Sequence, residues 1–323
     1  MMITKEQASW FAGAFDELVT NVEGAIMGKR NAVKLALTCL LSEGHLLIED
    51  VPGTGKTSLA KAIANTVKGT HSRIQFTPDL LPSDVTGVTI YNQRTSNFEF
   101  HKGPVFASIV LADEINRASP KTQSALLEVM EEGKVTVDGV GYEVGNPFMV
   151  IATQNPIEQA GTYRLPEAQI DRFLMRMSLG YPDHETAIAL LADASNRDRA
   201  AHVTAVVAAK AVADMALVAG GVHVDSAVLA YVDLLAEETR RSPDVQLGVS
   251  MRGSLALVRC AKTWAVVHGR TFVVPDDIKE LVAPVLAHRL MLTPEAEFGH
   301  LTAEQVIGRA LAAVAPPSAR GNR

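Results

Sequence analysis

Only two cysteines, Cys39 and Cys260, occur in 323 residues, each within an apolar stretch of helical spacing. Two cysteines build no disulfide framework, and zinc-type Cys/His spacing is missing, so the fold must rest on its apolar core. The simplest reading is a pair of buried, reduced thiols. Aromatic residues are scarce, at 5%, which leaves a mostly aliphatic core rich in Ala and Val. A basic excess is also lacking: 30 Lys and Arg face 36 Asp and Glu, for a net charge of −6. A strong overall cationic field for nucleic acid is thereby excluded, although a local patch is not. No apolar run reaches the roughly 18 residues of a membrane span. Lys210, Asp214 and Asp225 interrupt the Ala/Val-rich stretch between 200 and 236. Lys5 and Glu6 stand where a signal peptide would place its apolar segment. These absences predict a cytoplasmic protein with no membrane insertion.

What is present is 47% hydrophobic and 20% charged residues, the balance of a globular chain. At about 150 residues per domain, the length predicts two domains. The first half alternates short apolar runs with helical patterns, the signature of a parallel sheet flanked by helices. Strands are predicted at His45–Glu49, Arg73–Phe76, Ser108–Ala112, Phe148–Thr153 and Met175–Leu179. One helix is predicted from Thr57 to Lys68, stopped by Gly69. Another runs from Pro120 to Glu132, with Ser119 as its N-cap and Gly133 as its end. After Gly180–Asp183 the pattern becomes almost wholly helical. The expected organisation is an α/β domain over 1–181, an all-helical domain over 182–314 and a disordered tail over 315–323.

The segment HLLIEDVPGTGKTSLAKAIA places a buried strand, a glycine-rich turn and a helix in succession. In the loop from Pro52 through Thr54 to Ser58, Gly53 and Gly55 let the backbone N–H groups that follow Pro52 close on an anion at a helix N-terminus. Lys56 supplies a point charge for the phosphates, and Thr57 a hydroxyl for Mg²⁺. Asp50 departs from the pattern, standing where a first glycine is expected. Downstream, SIVLADEINRASPKTQ delivers Asp113 and Glu114 at the C-terminal end of an apolar strand. Ligands of open α/β sheets bind there. Asp113 suits Mg²⁺, and Glu114 suits the orientation of an attacking water. Together the two elements point to a Mg²⁺-dependent ATPase.

The blocks DVPGTGKT, VLADEINRASPKTQSALLEVMEE, VIATQNPIEQAGTYRLPEAQIDRF and SMRGSLALVR together resemble the MoxR family of AAA+ ATPases, over roughly residues 5 to 310. The resemblance implies a P-loop AAA+ core followed by a helical lid. It also implies an ATP-driven, ring-forming, often hexameric machine that acts on protein clients, frequently beside a partner with a von Willebrand factor A domain. On the same ground Asn155 matches sensor 1, Arg172 the arginine finger that reaches a neighbouring subunit, and Arg252 sensor 2. Met251 stands where the family more usually has Pro. Taken alone, Asn155 with Pro156 also reads as a turn, and Asp171–Arg172 as a surface pair. Ile26, Met27 and Gly28 match the stretch that passes the adenine, and read equally well as a helix–turn–helix junction.

Two further segments bear on clients. Residues 76–106 hold short alternating runs at Val88–Tyr91 and Asn97–Phe100, resembling the helix-2 insert of an AAA+ subgroup. KVTVDGVGYEV reads as a hairpin turning at Asp138–Gly139, and matches the hairpin before sensor 1. Each could grip a client or simply extend the fold. A chelatase-like motor and a DNA-acting AAA+ protein are the alternatives. Against the second stand the acidic balance and the absence of a basic C-terminal helix-turn-helix and of a GAFTGA-like loop.

Overall fold

The computed structural model describes residues 2–155, 161–193 and 198–317. Residues 156–160 of the VIATQNPIEQAGTYRLPEAQIDRF block and the last six of the predicted tail lie outside that description. The first elements are α1 (Lys5–Glu23), α2 (Arg30–Leu41), β1 (Leu46–Glu49), α3 (Lys56–Thr66), β2 (His71–Gln75), α4 (Pro82–Thr86), β3 (Gly87–Asn92) and β4 (Asn97–Lys102). β5 (Ile109–Asp113), α5 (Pro120–Glu132), β6 (Lys134–Val137), β7 (Val140–Glu143), β8 (Met149–Gln154), α6 (Glu167–Ile170), β9 (Met175–Met177) and α7 (His184–Ala192) follow. The remainder is α8 (Ala209–Gly220), α9 (Ser226–Arg241), β10 (Val245–Leu247), α10 (Met251–Val267), α11 (Pro275–Leu286), β11 (Met291–Leu292), α12 (Pro294–Phe298) and α13 (Ala303–Ala313).

Two compact units emerge. One comprises Glu17–Phe173 and Met177–Asp214; the other comprises Met1–Asp16, Leu174–Arg176 and Met215–Arg323. In the first, β2, β5, β8 and β1 lie side by side in that order, all parallel. Every residue of β5 is buried, as expected of a strand covered on both faces. Gln75 pairs with Asp113 and Glu49 with Gln154 in register, so the C-terminal ends of the four strands line up along one edge. Helix α5 begins where its sequence says it must. The Ser119 side chain accepts from Thr122 N, Pro120 takes the first turn, and Gly133 closes the helix in the left-handed conformation at φ 65°. It drives Leu126 and Leu127 into a core with Phe76, Val110, Val150 and Phe173. Each such fully buried side chain contributes about 2 kcal/mol.

The stop of α3 differs from expectation. The left-handed residue is Lys68, at φ 49°, while Gly69 N donates to Ala64 O and Lys68 N to Asn65 O. That is a Schellman closure with lysine in the usual glycine position. Gly69 is required for a different reason: a Cβ there would stand 2.9 Å from Ser108 Cβ.

The two insertions are both antiparallel hairpins, β3–β4 and β6–β7. Asp138 and Gly139 turn the second with positive φ at both positions, 52° and 79°, as a type I′ turn demands. The hairpins meet: Phe100 stacks on Tyr142 at 4.3 Å, and Thr89 Oγ1 donates to Asp138 Oδ2 at 2.8 Å. The other unit is mainly helical, from the second half of α8 through α13, with a short β10–β11 pair too brief to read from sequence. Among the described residues no helix is long and apolar enough to cross a membrane.

Candidate functional site

The aligned strand ends form one side of a cleft of about 420 Å³. Pro52, Gly53, Gly55, Lys56, Thr57 and Ser58 line it from the loop after β1 and the start of α3. Asp113 and Glu114 enter from β5, Asn155 from the end of β8. Nine residues singled out by sequence therefore share this cleft. Thr54 is not among them; its hydroxyl lies 3.4 Å from Val51 O, inside the loop.

The loop conformation depends on its glycines. Gly53 and Gly55 have φ of 85° and 96°, which side-chain-bearing residues rarely adopt. A Cβ would meet nothing within 4 Å at Gly53 and only Ile26 Cδ1, at 3.9 Å, at Gly55, so backbone conformation and not crowding imposes glycine. Gly55 leads directly into α3, whose first N–H groups lack partners within the helix and face the cleft end. Lys56 Nζ donates to Asp50 O at 3.0 Å and Val51 O at 2.9 Å, resting against its own loop.

Asp50 explains its own departure from the glycine pattern. Its carboxylate is buried, accepting from Val51 N on Oδ1 at 2.9 Å and from Leu179 N and Gly180 N on Oδ2 at 2.8 and 2.7 Å. A glycine could not make this tie between the loop and residues 179–180.

Around the acidic pair, Thr153 Oγ1 donates to Asp113 Oδ1 at 2.6 Å and accepts from Glu114 N at 2.9 Å. Glu114 sits in the left-handed region at φ 57°, a conformation that costs a non-glycine residue about 1 kcal/mol or more. Its Oε2 accepts from Gln75 Nε2 and Arg117 Nη1, both at 2.9 Å. Arg73 Nη2 reaches Asp113 Oδ2 at 2.6 Å. Arg73, Gln75, Thr153 and Gln154 also line the cleft, and sequence reading missed all four. Thr153 and Gln154 stand in the VIATQNP block directly before Asn155, a signal that went unused, whereas no motif marks Arg73 and Gln75 on β2.

The donor set fits a nucleotide phosphate with Mg²⁺. Glycine-loop N–H groups, a lysine and the buried, unpartnered Gln154 Nε2 are donors for phosphate oxygens. Among the described residues no cluster of three His, Cys, Asp or Glu side chains could hold a metal alone. Mg²⁺ needs none, since it retains waters and takes one or two protein oxygens beside the phosphates.

Other sequence candidates lie elsewhere. Ile26, Met27 and Gly28 form the turn between α1 and α2 and do not line the cleft. Ile26 is buried beside Gly55; a Cβ on Gly28 would strike Thr186 Oγ1 at 2.5 Å. Arg172 donates to Leu127 O at 2.7 Å and pairs with Glu131 at 2.9 Å, lining a separate 280 Å³ cleft beside α5. Arg252 is exposed in the first turn of α10, in the other unit.

The sequence matches the ATPase family associated with various cellular activities (AAA) over residues 45–175, and the AAA lid domain over residues 237–310. It is 47% identical over 302 residues to the uncharacterized protein YeaC of Bacillus subtilis, spanning 94% of each chain. Chaperone MoxR1 of Mycobacterium tuberculosis is 40% identical over 311 residues, covering 94% of this chain and 82% of that one. Protein MoxR of Paracoccus denitrificans is 31% identical across 90% of this chain and 92% of its own. A solved structure from Cytophaga hutchinsonii, provisionally assigned as an ATPase, matches with a TM-score of 0.90 at 38% identity, over 97% of this chain and 98% of that one. The parallel sheet, the glycine-rich loop and these relatives agree: the chain belongs to the MoxR family of AAA+ ATPases, an α/β AAA+ fold with a C-terminal helical lid.

Proposed function

We propose that this protein hydrolyses ATP as its Mg²⁺ complex and spends the energy on remodelling protein clients. The observation that carries the ATPase reading is the convergence of Lys56, Thr57, Asp113, Glu114 and Asn155 on one cleft with a left-handed glycine loop. Lys56 leaves the Asp50 and Val51 carbonyls and neutralises ground-state phosphate charge. Thr57 and Asp113 would hold Mg²⁺, which supplies charge neutralisation between the phosphates. Glu114, set apart by its backbone conformation, orients and polarises the attacking water, and the Asn155 amide helps position it. Ile26, Met27 and Gly28 would pass the adenine.

Assembly into a homo-oligomeric ring, of which a hexamer is the expected form, is supported by the position of Arg172. It lies outside the phosphate cleft of its own chain, so a role in phosphoryl transfer requires a neighbour's cleft. A permanently charged planar guanidinium suits the spreading γ-phosphate charge there. Arg252 would read the phosphates from the lid. For clients, the β3–β4 hairpin exposes Val88 and Ile90 on one face and Phe98, beside Tyr91, on the other, apolar surface for unfolded or loosely held segments. The name of the Mycobacterium tuberculosis relative supports a chaperone role; a partner with a von Willebrand factor A domain rests on family resemblance.

The test is a pair of variants. Lys56→Ala should abolish nucleotide binding, whereas Glu114→Gln should bind ATP and lose turnover by at least ~10²-fold. Equal loss of binding in both would reject this division of labour.

A further inference from the structure

Arg73 lines the phosphate cleft, yet it belongs to neither the glycine loop nor the acidic strand end. Arg73 and Gln75 are two residues apart on β2 and therefore share a face of the strand. One guanidinium nitrogen, Nη2, donates to Asp113 Oδ2 at 2.6 Å and to Gln75 Oε1 at 2.9 Å. Gln75 Nε2 then donates to Glu114 Oε2 at 2.9 Å. The polarity of this chain follows from chemistry. A guanidinium only donates, so it takes the carbonyl end of the amide and turns the NH₂ end toward the carboxylate. Arg73 is thus tied directly to Asp113 and, through one amide, to Glu114.

We infer that Arg73 is a stand-in cation for the metal site, released when Mg²⁺–nucleotide arrives. The inference rests on the ATPase reading above. Asp113 and Glu114 are consecutive carboxylates, and the Asp113 side chain is only 13% exposed, so a resident cation offsets their repulsion. Asp113 Oδ1 is already engaged by Thr153, which makes Oδ2, the oxygen under Arg73, the one a Mg²⁺ hydration shell competes for. The Arg73 side chain is 49% exposed and can swing into water, whereas buried Asp113 cannot follow it. Arg73 is a positioning residue in this scheme, acting through Asp113.

The experiment titrates Mg²⁺ into the full chain with N-methylanthraniloyl-ATP and follows probe fluorescence. Removing the competing cation in Arg73→Met should lower the Mg²⁺ midpoint by about threefold to fivefold, the scale of a half-exposed ion pair. Arg73→Lys, which keeps a charge near Asp113 without the planar fork, should lower it less. Gln75→Leu cuts the link to Glu114 but leaves Arg73 on Asp113, and should leave the midpoint unmoved. Thermal melts identify any variant that fails to fold, and the ordering of the remaining midpoints still decides. An unchanged or raised midpoint in Arg73→Met overturns the inference. So does weaker probe binding in EDTA with the midpoint unchanged, which would make Arg73 a phosphate ligand. A shift in Gln75→Leu equal to that of Arg73→Met also overturns it, as general loosening. If the unaltered chain binds no probe, the ATPase reading falls and takes this inference with it.

Discussion

Replacing Asp50 by glycine, the residue expected at the head of a phosphate loop, should harm this protein and not restore a norm. Its carboxylate is buried and accepts three backbone N–H groups, from Val51, Leu179 and Gly180, at 2.9, 2.8 and 2.7 Å. A buried donor stripped of its acceptor costs about 1–3 kcal/mol. Leu179, 4% exposed, gains no water in exchange and bears about 2 kcal/mol of the loss. Val51 and Gly180 are partly exposed, and water repairs them to within about 0.5–1 kcal/mol each. The sum is about 3–4 kcal/mol, to which the added backbone freedom of glycine contributes about 0.5 kcal/mol more. Asp50→Asn should cost about half as much, because one amide oxygen still accepts from the 179–180 pair while its NH₂ would face the Val51 donor. Thermal denaturation of the full chain, followed by circular dichroism, reads the ordering. At about 2 °C per kcal/mol for a chain of this size, the glycine variant should melt roughly 7–9 °C lower, with asparagine between. A glycine variant that melts with the parent would refute the reasoning, and equal losses in Asn and Gly would refute its directional part.

Arg172→Ala should lose turnover by about 10³-fold, and mixing it with inactive Glu114→Gln should restore part of it through mixed interfaces. Specific activity independent of concentration, with no rescue, would argue against a finger acting between subunits. In the helical unit, Arg270 forks onto Asp277, which is 2% exposed and also accepts from Val274 N. Arg270→Met strands that carboxylate and should cost about 3 kcal/mol, measured by denaturant unfolding. Burial, with Lys61 and Arg73 nearby, holds His71 below its ordinary value. The folded state therefore keeps His71 neutral while the unfolded chain protonates near its usual pKa of about 6.5, so stability present at pH 7 falls as pH drops below that value. His71→Gln should flatten this acid-side slope in melts between pH 7 and 5, and an identical slope would count against the assignment.

Much of the architecture was legible because its signals are local. Ser119, Pro120 and Gly133 bound α5 by capping chemistry alone, and Asp138–Gly139 turned β6 into β7 because few other pairs accept two positive φ values. The end of α3 was misplaced by the same kind of reasoning. Gly69 drew the stop signal, yet Lys68 took the left-handed position and Gly69 answered to Ser108, a residue distant in sequence.

Local sequence was enough to specify the glycine-rich loop, the acidic strand end and the alternation that builds a parallel sheet. Each depends on residues within a few positions of one another, where backbone conformation and chemistry are set together. Only the tertiary structure decided who stands beside them. Arg73 and Gln75 reach Asp113 and Glu114 because β2 pairs with β5 in the register that sets Gln75 opposite Asp113. Asp50 finds its partners at residues 179–180, far along the chain. Such contacts carry no periodicity and no motif, since strand pairing is chosen by burial of whole faces and not by the polar side chains it happens to bring together.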